Sequence, residues 1–407
     1  MLVSFTGTWM QSTAQSWLIY RLTGSPWLLG LVAFAGQVPI FLFAPVGGVL
    51  ADRHSRHRLI VLTQALSMVQ ALVLAALTIS NQVTVGAVIS LAFLLGVINA
   101  IDLPTRQSFM VELVTKEDLM NAIALNSSMI NGARIIGPAL AGLIVAWVGE
   151  GLCFLVNGLS YVAIIAALVG MRVVGREVKK PAGSALADLK EGFGYARRTR
   201  HVRAVLLLVA FVSIFGLSYI VLMPIFAEEI LGGGARSLGT LLSAAGLGAL
   251  GGALTLAARR EARGLGRVVA LSVAALGFLL LLFSLSRSLY ISAALLVPIG
   301  FTLMLQMSAC NTLLQAMVPD HLRGRVMSFY SMSLMGMAPF GSLLAGGVAA
   351  RIGAPMTLRV GGLLCVLGAS VFGLRLGDLG QDAAPILIAQ GAMAGEPADA
   401  DAINSAR

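Results

Sequence analysis

The chain is 407 residues long, 58% hydrophobic and only 11% charged, with a formal net charge of +10; an ordinary soluble domain carries about 25% charged residues. A water-covered surface cannot be built from so few charges, and the basic residues lie in short clusters between apolar runs without interleaved aromatics, which points to a membrane and away from nucleic acid. Cys153, Cys310 and Cys365 lie singly inside apolar runs, so neither a disulfide framework nor a C-x-x-C metal or redox pair is expected, and no secretory signal pattern is read after Met1.

A helix needs about 20 mostly apolar residues to cross roughly 30 Å of hydrocarbon, where no backbone polar group can stay unpaired. Twelve segments approach that requirement, at 1–20, 27–50, 59–79, 83–103, 121–147, 151–170, 204–226, 237–258, 266–286, 289–312, 326–350 and 355–375. The expected fold is an all-α integral membrane protein with twelve transmembrane helices in two pseudo-symmetric six-helix bundles. The first segment is the weakest, because Ser4, Thr6, Thr8, Gln11, Ser12, Thr13, Gln15 and Ser16 interrupt it and no basic flank precedes it. Two readings stand: an upstream extension completes this helix, or it faces a wet cavity that tolerates polarity.

The turn after the second segment reads GGVLADRHSRHRL over residues 47–59, three arginines and two histidines between apolar runs. The fourth segment ends in NAIDLPTR, where Asp102 and Arg106 flank Pro104, which is read as interrupting the helix. Asp102 is a candidate proton carrier and, with Arg106 four residues on, equally a candidate structural clasp at the helix end. The fifth segment contains NGARIIGPALAG, and its Arg134 is an intramembrane charge, costly enough to imply a role in binding an anionic substrate. Residues 171–203 hold nine Lys or Arg and three acids. Within them ALADLKEGFGYARR sets Leu186, Leu189, Phe193 and Ala196 on one face, as in a helix lying on the membrane surface.

The second half repeats the first. GGVL at 47–50 returns as GGAL at 251–254, and GPALAG at 137–142 returns as GSLLAG at 341–346, both 204 residues later. The chain is therefore divided into an N-terminal bundle at 1–170, a basic cytoplasmic linker at 171–203, a C-terminal bundle at 204–376 and a disordered cytoplasmic tail at 377–407. With the N-terminus in the cytoplasm, 20 of the 28 Lys and Arg fall in the loops at 51–58, 104–120, 171–203, 259–267 and 313–325, as the positive-inside rule requires. Six-plus-six parallel repeats around a basic central loop are the layout of a secondary transporter whose substrate site lies between the halves.

These residues resemble the major facilitator superfamily. Its motif between helices two and three is Gly, three residues, Asp-Arg, any residue, Gly, Arg, then Arg or Lys; Gly48, Asp52, Arg53 and Arg56 match it, with Ser55 and His57 as departures and Arg58 keeping the charge. The resemblance implies that Asp52 reaches the start of helix eleven, here PDHLRGRVMS with Arg323 and Arg325, and holds the cytoplasmic side shut; a helix N-terminus attracts an anion in any case. The run with Gly132, Gly137, Pro138, Ala141 and Gly142 is similar to the family's antiporter signature in helix five, which exporters carry more often than importers. A mid-helix Pro bends the helix, and small residues admit a close neighbour. GTWMQSTAQSWLIYRLTGSP, NAIDLPTRQSFMVELV and VPDHLRGRVMS look like the bacterial branch that contains the enterobactin exporter, and the likeness runs to about residue 376. One departure is the missing intramembrane arginine of drug antiporters in VGAVISLAFLLGVINAIDL.

The function expected is proton-coupled export of a small amphipathic or acidic compound, siderophore- or drug-like, by a monomer in a bacterial cytoplasmic membrane, with both termini cytoplasmic. No cofactor, metal or nucleic-acid partner is expected; membrane lipids are. GLGALG at 246–251 fits a nucleotide-binding pattern but sits inside an apolar span with no strand before it, and no G-x-x-x-x-G-K-[ST] loop occurs. His54, His57, His201 and His321 fall in turns without zinc spacing. An enzyme would need an acid and base pair at one membrane depth, which the spans lack; a non-transporting sensor or lipid-binding scaffold is the remaining alternative.

Overall fold

The computed structural model describes residues 1–115, 117–171, 185–259 and 264–377. The first half holds α1 (Leu2–Thr23), α2 (Pro26–Arg53), α3 (Arg56–Ile79), α4 (Val85–Leu113), α5 (Leu119–Trp147) and α6 (Glu150–Gly170). The linker supplies α7 (Ala185–Arg198). The second half holds α8 (Arg200–Phe215), α9 (Tyr219–Ile225), α10 (Gly234–Ala257), α11 (Leu265–Leu285), α12 (Leu289–Met317), α13 (Asp320–Ser331), α14 (Ala338–Ile352) and α15 (Ala354–Leu374). Among the described residues, 11 helical stretches are long and apolar enough to cross a membrane, so the protein is multi-pass; α1, the expected first span, is too polar to be counted with them.

Two spans are not plain α-helix. The seventh runs from Arg200 to Ile230 and ends in a π-helical turn at Phe226–Ile230, and the eleventh runs from His321 to Ile352 with a π turn at Met332–Gly336. Such turns lie off the 3.6-residue period, so apolar runs alone cannot reveal them. The fourth span also differs from expectation. Helix α4 continues through Pro104 to Leu113, placing Asp102 and Arg106 inside the helix instead of at its end. Proline costs this helix the bond to the Ala100 carbonyl, and Gly47 of α2 packs against that freed oxygen, with a Cβ there only 3.0 Å from Ile101 Cα.

Short polar caps separate the hairpins. The Ser25 hydroxyl accepts from the Leu28 N–H (3.4 Å) ahead of Pro26, and the Thr84 hydroxyl from the Ala87 N–H (3.2 Å), each satisfying a donor that a helix start leaves open. The α5–α6 and α14–α15 turns use the same device in each half, a glycine in the left-handed region, Gly149 at φ 100° and Gly353 at φ 81°. These two positions are 204 residues apart, the spacing of the sequence repeat, so the repeat extends to backbone geometry.

Part of the polarity of α1 is used inside the first half. Gln11 donates to Gln70 of α3 (3.0 Å), and Asn157 of α6 donates to Gln11 (2.7 Å), with all three buried. Fully paired amides in a low-dielectric interior fix one packing arrangement. The linker helix α7 packs against α13: Glu191 pairs with Arg325 at 2.6 Å, and the Phe193 and Phe329 rings lie 6.0 Å apart. A Cβ on Gly192 would come within 2.8 Å of the Arg325 Cβ, so the glycine sets this approach. Ala196 is buried and Phe193 exposed, so these two do not share one buried face; the side chains of Leu186 and Leu189 and the tail from residue 378 lie outside the described residues.

Candidate transport path and gates

The two halves meet most extensively along two helix pairs, α2 with α14 and α5 with α10. Each pair crosses at glycine on glycine. A Cβ on Gly142 would lie 2.8 Å from the Ala235 carbonyl oxygen and 2.9 Å from Gly239 Cα; one on Gly346 would lie 2.6 Å from the Pro26 oxygen and 2.9 Å from Gly30 Cα. The reciprocal contacts match as well, Gly239 to the Pro138 oxygen and Gly30 to the Ser342 oxygen, both at 2.6 Å. One crossing is the pseudo-symmetric image of the other. Only residues without side chains let backbones approach this closely.

The helix-five motif therefore divides by task. Gly142 and the Pro138 carbonyl face the other half. Gly137 faces α1, where a Cβ would meet Trp9 Cβ at 2.6 Å, and Gly132 has nothing nearer than Leu2 Cδ1 at 3.9 Å. Further along the same interface the Ser243 hydroxyl donates to the Ile135 carbonyl (2.8 Å), and Phe34 and Phe41 of α2 meet Phe340 of α14 edge-on at 5.7 and 6.0 Å.

Arg134 stands next to Ile135 on α5. Its guanidinium stands 5.2 Å from the centre of the Trp9 ring, a cation–π geometry. Its Nε is buried and has no hydrogen-bond partner among the described residues. A buried guanidinium with an unused N–H is a ready donor to an anion.

Asp102 is nearly fully buried, and its polar partners come from two helices. Thr63 and Gln64 of α3 donate to one oxygen at 2.7 and 2.8 Å, and Arg106 pairs with the other. The Arg106 guanidinium lies 5.2 Å from the Phe5 ring of α1. The sequence candidates Asp102 and Arg106 are thus brought together, and Arg134 stands apart from them on α5.

The arginine-rich turn forms its own network. Arg56 pairs with Asp52 at 3.4 Å and with Glu112 of α4 at 2.5 Å, while Arg53 and Arg58 are exposed. His57 Nε2 donates to the Leu168 carbonyl at the end of α6 (2.7 Å). Gly48 has open space where a Cβ would sit; its neighbour Gly47 makes the close approach. Arg325 of α13 pairs with Glu191 of α7.

Three acids escaped sequence reasoning. Glu112 completes the Arg56 network; Glu150, at the first position of α6, holds Arg21 at 2.7 and 3.2 Å; Glu229, in the first π turn, accepts a hydrogen bond from Tyr20 across the two halves. Each lies at a helix end, where an acid reads as solvated. The weak signal was an acid at an apolar boundary with a basic or phenolic residue at the matching boundary of another span.

The family model described as transmembrane secretion effector matches residues 1–387. The chain belongs to this family of major facilitator transporters. The staphyloferrin A transporter of Staphylococcus aureus is 27% identical to this transporter over 90% of the chain and 92% of the relative. The multidrug efflux pump Tap of Mycolicibacterium fortuitum is 26% identical over 93% and 95%. The crystal structure of a bacterial homolog of the human lysosomal transporter Spinster, inward-facing and unoccupied, shares the fold at a TM-score of 0.72 and 16% identity, over 94% of the chain and 96% of that structure.

Proposed function

We propose that this transporter is a proton-coupled exporter of a small amphipathic or acidic compound, siderophore- or drug-like, working as a monomer in a bacterial cytoplasmic membrane with both termini in the cytoplasm. The observation that carries this reading is the one-ended closure of the two halves. Both glycine crossings press the halves together beside the α1–α2 and α5–α6 turns, while at the opposite end Asp52 and Arg325 are paired with Arg56 and Glu191. The basic loops at that opposite end support a cytoplasmic position for it, and with that orientation the conformation is inward-open. The staphyloferrin transporter and the efflux pump among the relatives support the substrate class, and the unused Nε of Arg134 supports an anion at mid-path.

In the outward-open form the cytoplasmic ends come together, and Asp52 exchanges part of its pairing with Arg56 for the start of the eleventh span, near Arg323 and Arg325. Arg53, Arg56 and Arg58 keep that end at the inner leaflet. Asp102 and Arg106 act as a clasp joining α3, α4 and α1 behind the gate.

Inside-out vesicles from cells expressing the chain test this. With an imposed pH gradient they accumulate an anionic, carboxylate-rich siderophore, and Arg134→Gln loses that uptake more than uptake of a neutral compound. Equal loss of both would remove Arg134 from substrate recognition, and no gradient-dependent uptake of any compound would remove the proposed activity.

A further inference from the structure

Among the described residues, three contacts help to close the end beside the α1–α2 turn. Two are the glycine crossings, which carry no titratable group. The third is polar: the Tyr20 hydroxyl of α1 donates to the Glu229 carboxylate in the π turn of the seventh span. Tyr20 and Glu229 are 209 residues apart, the spacing at which the crossings match Pro26 with Ala235 and Gly30 with Gly239; the likeness of GGVL to GGAL at 204 is therefore five residues out of structural register in α2 and α10. The two side chains therefore occupy equivalent positions in the two halves and meet on the pseudo-twofold axis. Tyr20 is buried and Glu229 exposed, so a proton reaches the acid from the compartment outside without crossing the protein. Three other charged groups lie near. Glu228 adjoins Glu229 in the same turn, Arg236 lies exposed in the first turn of α10, and Arg21 is taken up by Glu150 at 2.7 Å.

We propose that the Tyr20–Glu229 hydrogen bond is the polar latch of the outer gate, and that a proton arriving at Glu229 from outside releases it. This rests on the alternating-access reading above. The phenol donates to an ionised acceptor, the stronger form of such a bond; protonation neutralises the acceptor and leaves the glycine crossings and the packing of α9 on α1 and α2 to hold the end. The latch is complete while Glu229 is ionised and weakens as pH falls. A π turn is an apt mount, since it displaces one residue out of α-helical register and turns it toward a functional contact.

Spin labels on Ile79→Cys and Leu285→Cys test this in lipid nanodiscs. Both sites are exposed, at the ends of α3 and α11 in opposite halves, and the native Cys153, Cys310 and Cys365 are fully buried. The expected result is one short separation near about pH 8 and a growing long one on acidification to about pH 4. Tyr20→Phe and Glu229→Gln show the long separation at both pH values, with the open-to-closed ratio raised about tenfold, and Glu228→Gln behaves as the parent. Parental distances in Tyr20→Phe and Glu229→Gln would overturn the latch, and an acid response retained in Glu229→Gln would overturn its role as proton acceptor. No substrate is needed, so a failed latch leaves transport standing, and intact distances without flux would instead sink the transport reading.

Discussion

Gly239→Ala adds one Cβ, 2.6 Å from the Pro138 carbonyl oxygen and 2.9 Å from Gly142 Cα. Both neighbours are backbone atoms, so no rotamer change relieves the overlap and α5 and α10 must move apart. Forcing one extra carbon into a packed site costs about 1–3 kcal/mol. That cost arises only while the halves are closed at this end, so the closed-to-open ratio falls about 5- to 150-fold. The same spin-label pair on α3 and α11 reads the ratio directly, and vesicle flux reads its consequence. Gly132→Ala is the internal control, because its Cβ would find nothing closer than 3.9 Å. Parental distances and flux in Gly239→Ala, or equal damage from Gly132→Ala, would refute the assignment of the α5–α10 crossing to the closure.

Gly48→Ala is expected to be silent in thermal unfolding, because a Cβ there meets nothing within 4 Å, whereas Gly47→Ala lowers the midpoint by prying α2 from α4 at Ile101. Asp102→Asn loses charge at a site that Thr63, Gln64 and Arg106 all address. Substrate exchange and gradient-driven flux should fall together with stability; a protein that still exchanges but ignores the gradient would make Asp102 the coupling acid instead. The Asp52 side chain is 47% exposed, so its pair with Arg56 contributes about 0–1 kcal/mol and Asp52→Asn leaves the melting midpoint nearly unchanged. Flux in that variant nevertheless falls and cytoplasmic-side cysteines label faster, if the carboxylate closes the inner gate; unaltered labelling would count against it.

What the sequence made legible was whatever depends on local composition. Apolar runs located most of the spans to within a few residues, α4 excepted, which runs ten residues past the expected end at 103, and the repeated GPALAG and GSLLAG segments located two halves that the backbone repeats at Gly149 and Gly353. Long-range pairings stayed hidden. Nothing local to Gln11, Gln70 and Asn157 says that they meet, and the polarity of α1 could be read only as an exposed or incomplete helix. The motif glycine presented a subtler problem: spacing singled out Gly48, but which of two adjacent glycines packs is decided by the phase of α2 against α4, and Gly47 is the one in contact. Pro104 misled for a related reason, since a proline ends an isolated helix but is carried inside a bundle when a neighbour covers the freed carbonyl.

By this mechanism the chain alone moves a solute, through alternating access. Purified protein in sealed proteoliposomes, loaded with an anionic siderophore and given an opposed pH gradient, measures it. Flux that needs the gradient, collapses with a protonophore and falls in Gly239→Ala is the predicted result; a folded, monodisperse protein that gives no solute flux above empty liposomes would contradict it.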